Sequence, residues 1–178
     1  MLLIVSFILI AVLTVVDQLI KYIVVKNISI GEVISLIKIG DKQVLELTQI
    51  RTTGAAWSIM QGKTWFLVVL PIIVLIVGVA FMTVTRKTLK KIEAISISMI
   101  IAGGIGNLID RIRLKEVVDY ISFKLINFPV FNFADICVVV GEILLVGYIF
   151  FCESDKDKEK KKSEKPADSE PEKAKADE

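Results

Sequence analysis

Four stretches of this 178-residue chain are long and apolar enough to cross a lipid bilayer, and they restrict the possible folds more than any other feature. A membrane-spanning α-helix needs about 20 predominantly apolar residues, because its backbone polar groups must be satisfied within the segment. Hydrophobic residues make up 54% of the chain, as a membrane protein requires. We therefore expect an all-α membrane protein, a four-transmembrane-helix bundle with helices at about residues 2–25, 65–84, 92–109 and 133–151.

The distribution of basic residues predicts how these helices are oriented. The short loop between the second and third helices carries four basic residues: Arg86, Lys87, Lys90 and Lys91. Loops of this kind stay on the cytoplasmic side under the positive-inside rule. With four helices, both termini are then cytoplasmic, and the two longer loops, at about residues 26–64 and 110–132, are outside.

The first outer loop contains a β-hairpin pattern. Val33–Ile39 and Gln43–Ile50 are rich in β-branched residues and roughly alternate in polarity, with Gly40 and Asp41 between them. A glycine and an aspartate between two such runs are typical of a tight turn. We expect a small extracytoplasmic β-hairpin or sheet that rests on the outer leaflet.

Composition divides the chain into a membrane domain, residues 1–151, and a charged tail, residues 152–178. The tail is dominated by Lys, Glu, Asp, Ser and Pro, and it is too polar to bury an apolar core. We therefore expect a disordered cytoplasmic extension after the fourth helix.

Histidine does not occur anywhere in the chain. Its absence excludes nucleophile activation by histidine and most transition-metal sites. The two cysteines, Cys137 and Cys152, lack the spacing of a zinc-binding motif. We expect neither a metal site nor another cofactor.

The stretch from Gly103 to Asp135 holds three aspartates close to a predicted membrane boundary. An ionised side chain in hydrocarbon costs about 2.5–3.5 kcal/mol on insertion scales, so such groups pair, face water or take part in chemistry. Asn107, Asp110 and Arg111 follow a helical spacing and share one face. They predict a polar network between helices, which could serve catalysis or only hold the helices together; Asp110 and Arg111 could also cap and anchor the helix end.

Asp17 and Lys21 lie four residues apart on the first predicted helix and can form an ion pair. The pair could orient the helix or take part directly in chemistry. Glu142 lies seven residues after Asp135 on the fourth predicted helix. It could pair with Lys21 or Asn107, or line a wet pocket.

Asp119 and Asp135 each lie among apolar residues, without a neighbouring basic residue as an obvious partner. If the loop between them brings them together, burial and mutual repulsion would raise one of the two pKa values. The pair would then share a proton near neutral pH and could activate water for peptide hydrolysis. The alternative is two interfacial aspartates, each satisfied separately.

Two other functional classes are compatible with the same residues. In a small transporter or channel, the carboxylates would bind protons or cations in transit. The acidic residues gather toward the outer boundary, however, apart from Glu142. In a membrane scaffold without catalytic activity, the ion pairs would be structural, but this leaves Asp119 and Asp135 unexplained.

Five motifs occur in one order along the chain: Asp17…Lys21, TTGAAWS at Thr52–Ser58, GGIGNLIDR at Gly103–Arg111, VVDYI at Val117–Ile121 and FNFAD at Phe131–Asp135. Together they resemble the lipoprotein signal peptidase (signal peptidase II) family of bacterial inner-membrane aspartic proteases. The resemblance covers about Leu2–Phe151 and excludes the tail. One departure is Thr52, which stands where the family usually has asparagine.

The resemblance implies a membrane aspartic endopeptidase that cleaves the signal peptide from prolipoproteins, before a cysteine that carries diacylglycerol. Asp119 and Asp135 match the catalytic aspartates. The motifs assign substrate binding or support to seven other residues: Asp17, Lys21, Thr52, Asn107, Asp110, Arg111 and Asn132. The implied enzyme is a multi-pass monomer of the bacterial inner membrane, with its active site near the outer surface. Its partners are lipidated substrates and membrane lipid, without nucleic acid, and globomycin-type inhibition is expected.

Overall fold

The computed structural model describes residues 1–53, 64–126 and 128–163, with side chains except at positions 64 and 152–163. Within these ranges the chain forms four long helices and a three-stranded antiparallel sheet. The elements are α1 (Leu2–Asn27), β1 (Val33–Ile39), β2 (Lys42–Thr52), α2 (Thr64–Val84), α3 (Lys91–Leu114), β3 (Val117–Phe123) and α4 (Phe133–Ser163). Each helix is long and apolar enough to cross a membrane, and the predicted fold class is confirmed.

Two helices end later than the sequence predicted. α3 continues to Leu114, so Asp110 and Arg111 belong to its last turns and not to an outer loop. The helix ends where Lys115 adopts a left-handed conformation, at φ 65°, and its N–H bonds to the carbonyl of Arg111. α4 continues past Phe151 to Ser163, because lysine and glutamate are good helix formers where the helix leaves the apolar region. The rest of the predicted tail, residues 164–178, lies outside the described residues.

α3 is the central helix of the bundle and packs against α1, α2 and α4. It buries many small side chains, including Ser96, Ser98 and Ala102. The other helices expose large apolar side chains over much of their length, as lipid-facing surfaces do. The buried apolar residues at one end of the bundle form a core around Met82, Ile97 and Ile101.

Glycines on α3 let neighbouring groups approach the helix backbone. A Cβ at Gly103 would overlap the carbonyl oxygen of Ala134 on α4. A Cβ at Gly106 would lie 2.5 Å from an Asp17 carboxylate oxygen. The small residues on this face of α3 therefore allow a close approach, both of a helix and of a charged side chain.

The sheet has the order β1-β2-β3, and β1 and β2 form the predicted hairpin. Its two-residue turn begins at Gly40, where φ is +59°, a conformation that glycine adopts without strain. β3 was not predicted, and it pairs antiparallel with β2, so that Val117 lies opposite Thr52. Val118 and Tyr120 pack against Val24 and fix β3 to the C-terminal end of α1.

We predict that Gly103→Ala destabilises the protein and that Gly104→Ala does not. The added methyl group at Gly103 meets backbone atoms of α4, which cannot move without shifting that helix, whereas nothing lies within 4 Å of a Cβ at Gly104. We expect a loss of about 1–3 kcal/mol for Gly103→Ala, as for other overpacked cores. Thermal unfolding in detergent measures the difference, and equal melting temperatures for the two variants would contradict the packing described here.

Candidate active site

The site forms where the chain returns from β3 to the start of α4. Phe131 pairs with Ile121 through backbone hydrogen bonds of 2.8 and 3.0 Å, so the segment before α4 lies beside β3. Asp119 is on β3, Asn132 directly follows Phe131, and Asp135 comes three residues after Asn132. This pairing brings two aspartates that are sixteen residues apart in sequence onto one connected group of side chains.

Asn132 connects the two aspartates. Its side-chain amide donates a 2.7 Å hydrogen bond to Asp119 Oδ1, and its backbone N–H donates a 3.0 Å bond to Asp135 Oδ2. In return, the N–H of Asp135 donates to Asn132 Oδ1, at 3.0 Å. The last two bonds form a reciprocal cap at the start of α4, with the carboxylate three residues after the cap. Asn132 is 0% exposed, so its orientation is fixed by these partners.

The remaining carboxylate oxygens also accept hydrogen bonds. The Thr52 hydroxyl lies 2.5 Å from Asp119 Oδ2, across the β2–β3 pair on a diagonal. The Asn107 amide donates to Asp135 Oδ1 at 2.7 Å. The two aspartates thus differ in their surroundings. Asp119 accepts from the Thr52 hydroxyl, whereas Asp135 accepts from the Asn107 amide. Asp135 also lies in the first turn of a helix, where negative charge is stabilised.

Burial raises the pKa of Asp119 to about 6, from an ordinary value of 3.8. Desolvation is the main cause, and the nearby negative charge of Asp135 raises this pKa further. Hydrogen bonds from Thr52 and Asn132, and the charge of Lys21, act in the opposite direction. Asp119 is therefore a carboxyl that can carry a proton close to neutral pH.

A buried cluster of charged side chains contacts the site through Asn107. Lys21 is 3% exposed, and its ammonium group lies 2.9 Å from both Asp17 Oδ2 and Asp110 Oδ2. The third bond of this group goes to Asn107 Oδ1, at 3.0 Å. The expected ion pair between Asp17 and Lys21 is present. Because Asn107 Oδ1 also accepts from Asn132, the amide of Asn107 must face Asp135.

The two supporting carboxylates also hold the backbone. Asp17 Oδ1 accepts a 3.1 Å bond from the N–H of Ala134, and Asp110 Oδ2 accepts a 3.2 Å bond from the N–H of Val118. The Tyr120 hydroxyl accepts a 3.1 Å bond from the N–H of Phe133. Asp110 is thus paired with Lys21, and the sequence-based alternative in which Asp110 and Arg111 act together as a cap is not the arrangement found.

Arg111 lies at the edge of this cluster. Its guanidinium donates a long 3.5 Å bond to the carbonyl of Asn107, on the preceding turn of α3. The side chain is attracted electrostatically by Asp135, Asp119 and Asp110. Arg111 therefore adds positive potential near both aspartates.

The structure brings all nine sequence-predicted residues into this region, but it places Glu142 elsewhere. Glu142 is exposed on α4, whereas Lys21 and Asn107 are bonded to other groups. The prediction that Glu142 pairs with either residue is wrong. The preceding residue, Gly141, is buried against Ser96 of α3, where a Cβ would lie 2.7 Å from a carbonyl oxygen, and this packing turns Glu142 outward.

Sequence reasoning missed Gln18 and Tyr120, both of which bond directly to this region. Their signals were weak, because a polar residue next to Asp17 and a tyrosine in a strand are common in any fold. Most of the TTGAAWS motif lies outside the described residues, which resume at residue 64. Thr52 and Thr53 are the described part of that motif.

Comparisons with known proteins agree with the resemblance seen in the sequence. A family model described as signal peptidase (SPase) II matches residues 9–151. A lipoprotein signal peptidase of Lactiplantibacillus plantarum is 42% identical over 144 residues, which is 80% of this chain and 92% of that protein. One of Enterococcus faecalis is 42% identical over 153 residues, covering 85% of this chain and 91% of the relative.

Solved structures support the same comparison. A bacterial membrane enzyme determined by the in meso method at 2.3 Å resolution superposes with a TM-score of 0.77 and 32% sequence identity. The match covers 85% of this chain and 91% of the other. A second such structure, at 1.9 Å resolution, gives a TM-score of 0.71 and 32% identity, over 82% and 92% of the two chains. Together with the four apolar helices, these matches make this chain a multi-pass membrane protein.

The raised pKa of Asp119 predicts a pH-dependent stability. Its folded pKa of about 6 lies above the ordinary 3.8, so the folded state binds a proton that the unfolded state releases between these values. The stability contribution of this group is therefore greatest below pH 4 and is lost as the pH rises through 6. The full effect is about 3 kcal/mol.

Thermal unfolding between pH 4 and pH 8 tests this in the wild type and in Asp119→Asn. Other groups titrate in both proteins, so the difference between the two curves isolates Asp119. We expect the wild type to lose stability relative to the variant as the pH rises. A pH-independent difference would contradict the raised pKa.

Proposed function

The chain belongs to the signal peptidase II family, and we propose that this peptidase is an aspartic endopeptidase that removes signal peptides from diacylglyceryl-modified prolipoproteins. Cleavage would occur before the lipidated cysteine. The observation that carries the proposal is the connection of Asp119 and Asp135 through one buried asparagine, Asn132. The relatives are named lipoprotein signal peptidases, which supports the substrate class.

The different surroundings of the two aspartates support separate roles. Asp119, with a pKa raised to about 6, is the proton-bearing acid. Asp135 accepts bonds from the Asn107 amide and the Asn132 N–H, which leaves each oxygen with a further lone pair for a water molecule. We assign Asp135 as the general base. An acid and a base with different proton affinities are what hydrolysis at one carbonyl needs.

The proposed reaction has two steps. Asp135 removes a proton from water as the water oxygen bonds to the scissile carbonyl carbon, and the carbonyl oxygen takes the proton of Asp119. The resulting diol then collapses: one hydroxyl returns its proton to Asp119, the carbon–nitrogen bond breaks, and the proton held by Asp135 passes to the amine nitrogen of the cysteine. The products are a carboxylic acid and an amine, and both aspartates return to their starting states.

Thr52 has a defined part in this scheme. It stands where the family usually has asparagine, and its hydroxyl contacts Asp119 Oδ2. A hydroxyl can donate to the ionised carboxylate and accept from the protonated acid. Thr52 is therefore suited to both states of Asp119, and we assign it to support of the acid.

The remaining parts of the proposal concern the membrane. The protein would span the bacterial inner membrane with both termini in the cytoplasm, because Arg86, Lys87 and Lys90 follow α2. The site would lie near the outer surface, at the sheet end of the bundle. Acyl chains of the substrate would lie against the exposed apolar helices, where each buried CH₂ contributes about 0.8 kcal/mol. We propose a monomer that needs neither metal nor cofactor.

Asp119→Asn and Asp135→Asn should each abolish cleavage, because each removes one proton-transfer group. We expect losses of at least about 100-fold in kcat, the lower range of a general acid or base contribution. The assay is release of the signal peptide from a diacylglyceryl-modified prolipoprotein by purified protein in detergent. Asp41→Asn, which alters an exposed carboxylate at the hairpin turn, is the matched control and should retain activity. Full activity of either dyad variant would refute the assignment.

The pH dependence of kcat/KM should follow the protonation of Asp119. Only the protonated acid is productive, so kcat/KM should fall as the pH rises through about 6, the pKa of this group. Thr52→Val removes a bond that lowers this pKa, and the fall should then occur at higher pH. The initial rate at low substrate concentration, measured from pH 5 to pH 9, gives both curves. A wild-type kcat/KM that rises through pH 6 would contradict the assignment of Asp119 as the acid.

A further inference from the structure

Gln18 bridges the two supporting carboxylates, Asp17 and Asp110. Its amide nitrogen lies 3.2 Å from Asp17 Oδ2, 3.1 Å from Asp110 Oδ1 and 3.1 Å from the carbonyl oxygen of Gly106. These three oxygens come from α1 and α3, and they share the two hydrogens of the amide nitrogen. Gln18 therefore connects the first helix to the third at the level of the buried charges.

The two carboxylates that Gln18 bridges have matching tasks. Asp17 holds the N–H of Ala134, the residue immediately before Asp135. Asp110 holds the N–H of Val118, the residue immediately before Asp119. Each supporting carboxylate thus fixes the backbone next to one catalytic aspartate. The distance between Asp17 and Asp110 is consequently transmitted to the distance between the two catalytic groups.

Lys21 alone would not fix the separation of the Asp17 and Asp110 carboxylates. It pairs with one oxygen of each carboxylate, Asp17 Oδ2 and Asp110 Oδ2, and its single positive charge faces two negative ones. The carboxylates therefore still repel each other in a poorly screened environment. A second donor between them opposes this repulsion, and a neutral amide does so without adding a charge.

We propose that Gln18 is a positioning residue that, with Lys21, sets the separation of Asp119 and Asp135. The inference rests on the proposed aspartic mechanism. Gln18 touches neither aspartate of the dyad directly, and its effect passes through Asp17 to Ala134 and through Asp110 to Val118. Proton transfer depends steeply on such distances, so small displacements lower the rate without removing a reacting group.

The test compares Gln18→Met with the wild type. Methionine keeps the length and approximate volume of the side chain and removes the amide donor. We expect kcat to fall by about 10- to 100-fold with KM changed less than about twofold, because the groups that bind the substrate are unaltered. Ser6→Ala is the matched control: it removes a hydrogen bond within α1, from the serine hydroxyl to Leu2 O, and should leave both constants unchanged.

The pH profile distinguishes positioning from a loss of folded protein. If the two aspartates move apart, Asp135 raises the pKa of Asp119 less, and the fall in kcat/KM should move to lower pH. The charged neighbours Lys21 and Arg111 remain in both proteins. A reduced rate with an unshifted profile would show a merely structural role and overturn the proposal, as would wild-type kinetics.

Gln18→Glu is the second variant, in case methionine prevents folding. A protonated glutamate can still donate one bond, whereas an ionised one would add a third negative charge beside Asp17 and Asp110, with Lys21 and the more distant Arg111 as the nearby cations. The ratio of variant to wild-type kcat should therefore fall as the pH rises, and a constant ratio would overturn the proposal. Absence of cleavage by the wild type would instead refute the proposed function, since the positioning role is measured only against an active wild type.

Discussion

The whole site depends on one buried cation that is shared by three acceptors. Lys21 has three hydrogens to donate, and Asp17, Asp110 and Asn107 take one each. Removing one partner of a buried ion pair is strongly destabilising, about 3–5 kcal/mol, because the other charge is left without compensation. The ammonium group therefore offsets the burial of two carboxylates inside the bundle, and those carboxylates in turn bind the backbone on both sides of the site.

The start of α4 shows how this support reaches the chemistry. A helix leaves its first backbone N–H groups without intrahelical acceptors. Here the N–H groups of residues 132, 133, 134 and 135 bond to four different side chains: Asp135, Tyr120, Asp17 and Asn132. These partners come from α1, β3 and the cap itself. The helix end is consequently held from three directions, and the carboxylate in its first turn has little freedom to rotate.

The parts of the fold that depend on local sequence could be predicted. Apolar length determines the four helices, and a glycine in a short turn determines the hairpin. Convergence of Asp119 and Asp135 could only be hypothesised from their apolar neighbours, because it requires the pairing of Phe131 with Ile121, which no local pattern encodes. The motif resemblance implied that contact indirectly, because it matched Asp119 and Asp135 to one pair of catalytic aspartates.

The sequence-based predictions failed where the orientation of a helix about its own axis determines which side chains face the site. Glu142 follows the same helical period as Asp135, yet close packing of Gly141 against α3 turns it outward. Gln18 was missed for a similar reason: its role becomes visible only when α1 and α3 are placed side by side. The ends of α3 and α4 were predicted too early, because a hydropathy pattern locates the apolar part of a helix and not its last hydrogen-bonded turn.

The i, i+4 pair of Asp17 and Lys21 has a consequence for how the protein is made. Synthesis proceeds from the N-terminus, so α1 exists before α3, the helix that carries Asp110 and Asn107. During that interval the two opposite charges can neutralise each other on one helix face, and the segment can enter the bilayer without an unpaired ion. The later partners then join a pair that is already formed. Asp135 arrives with the last helix, so a partly synthesised chain lacks one of the two aspartates that Asn132 connects.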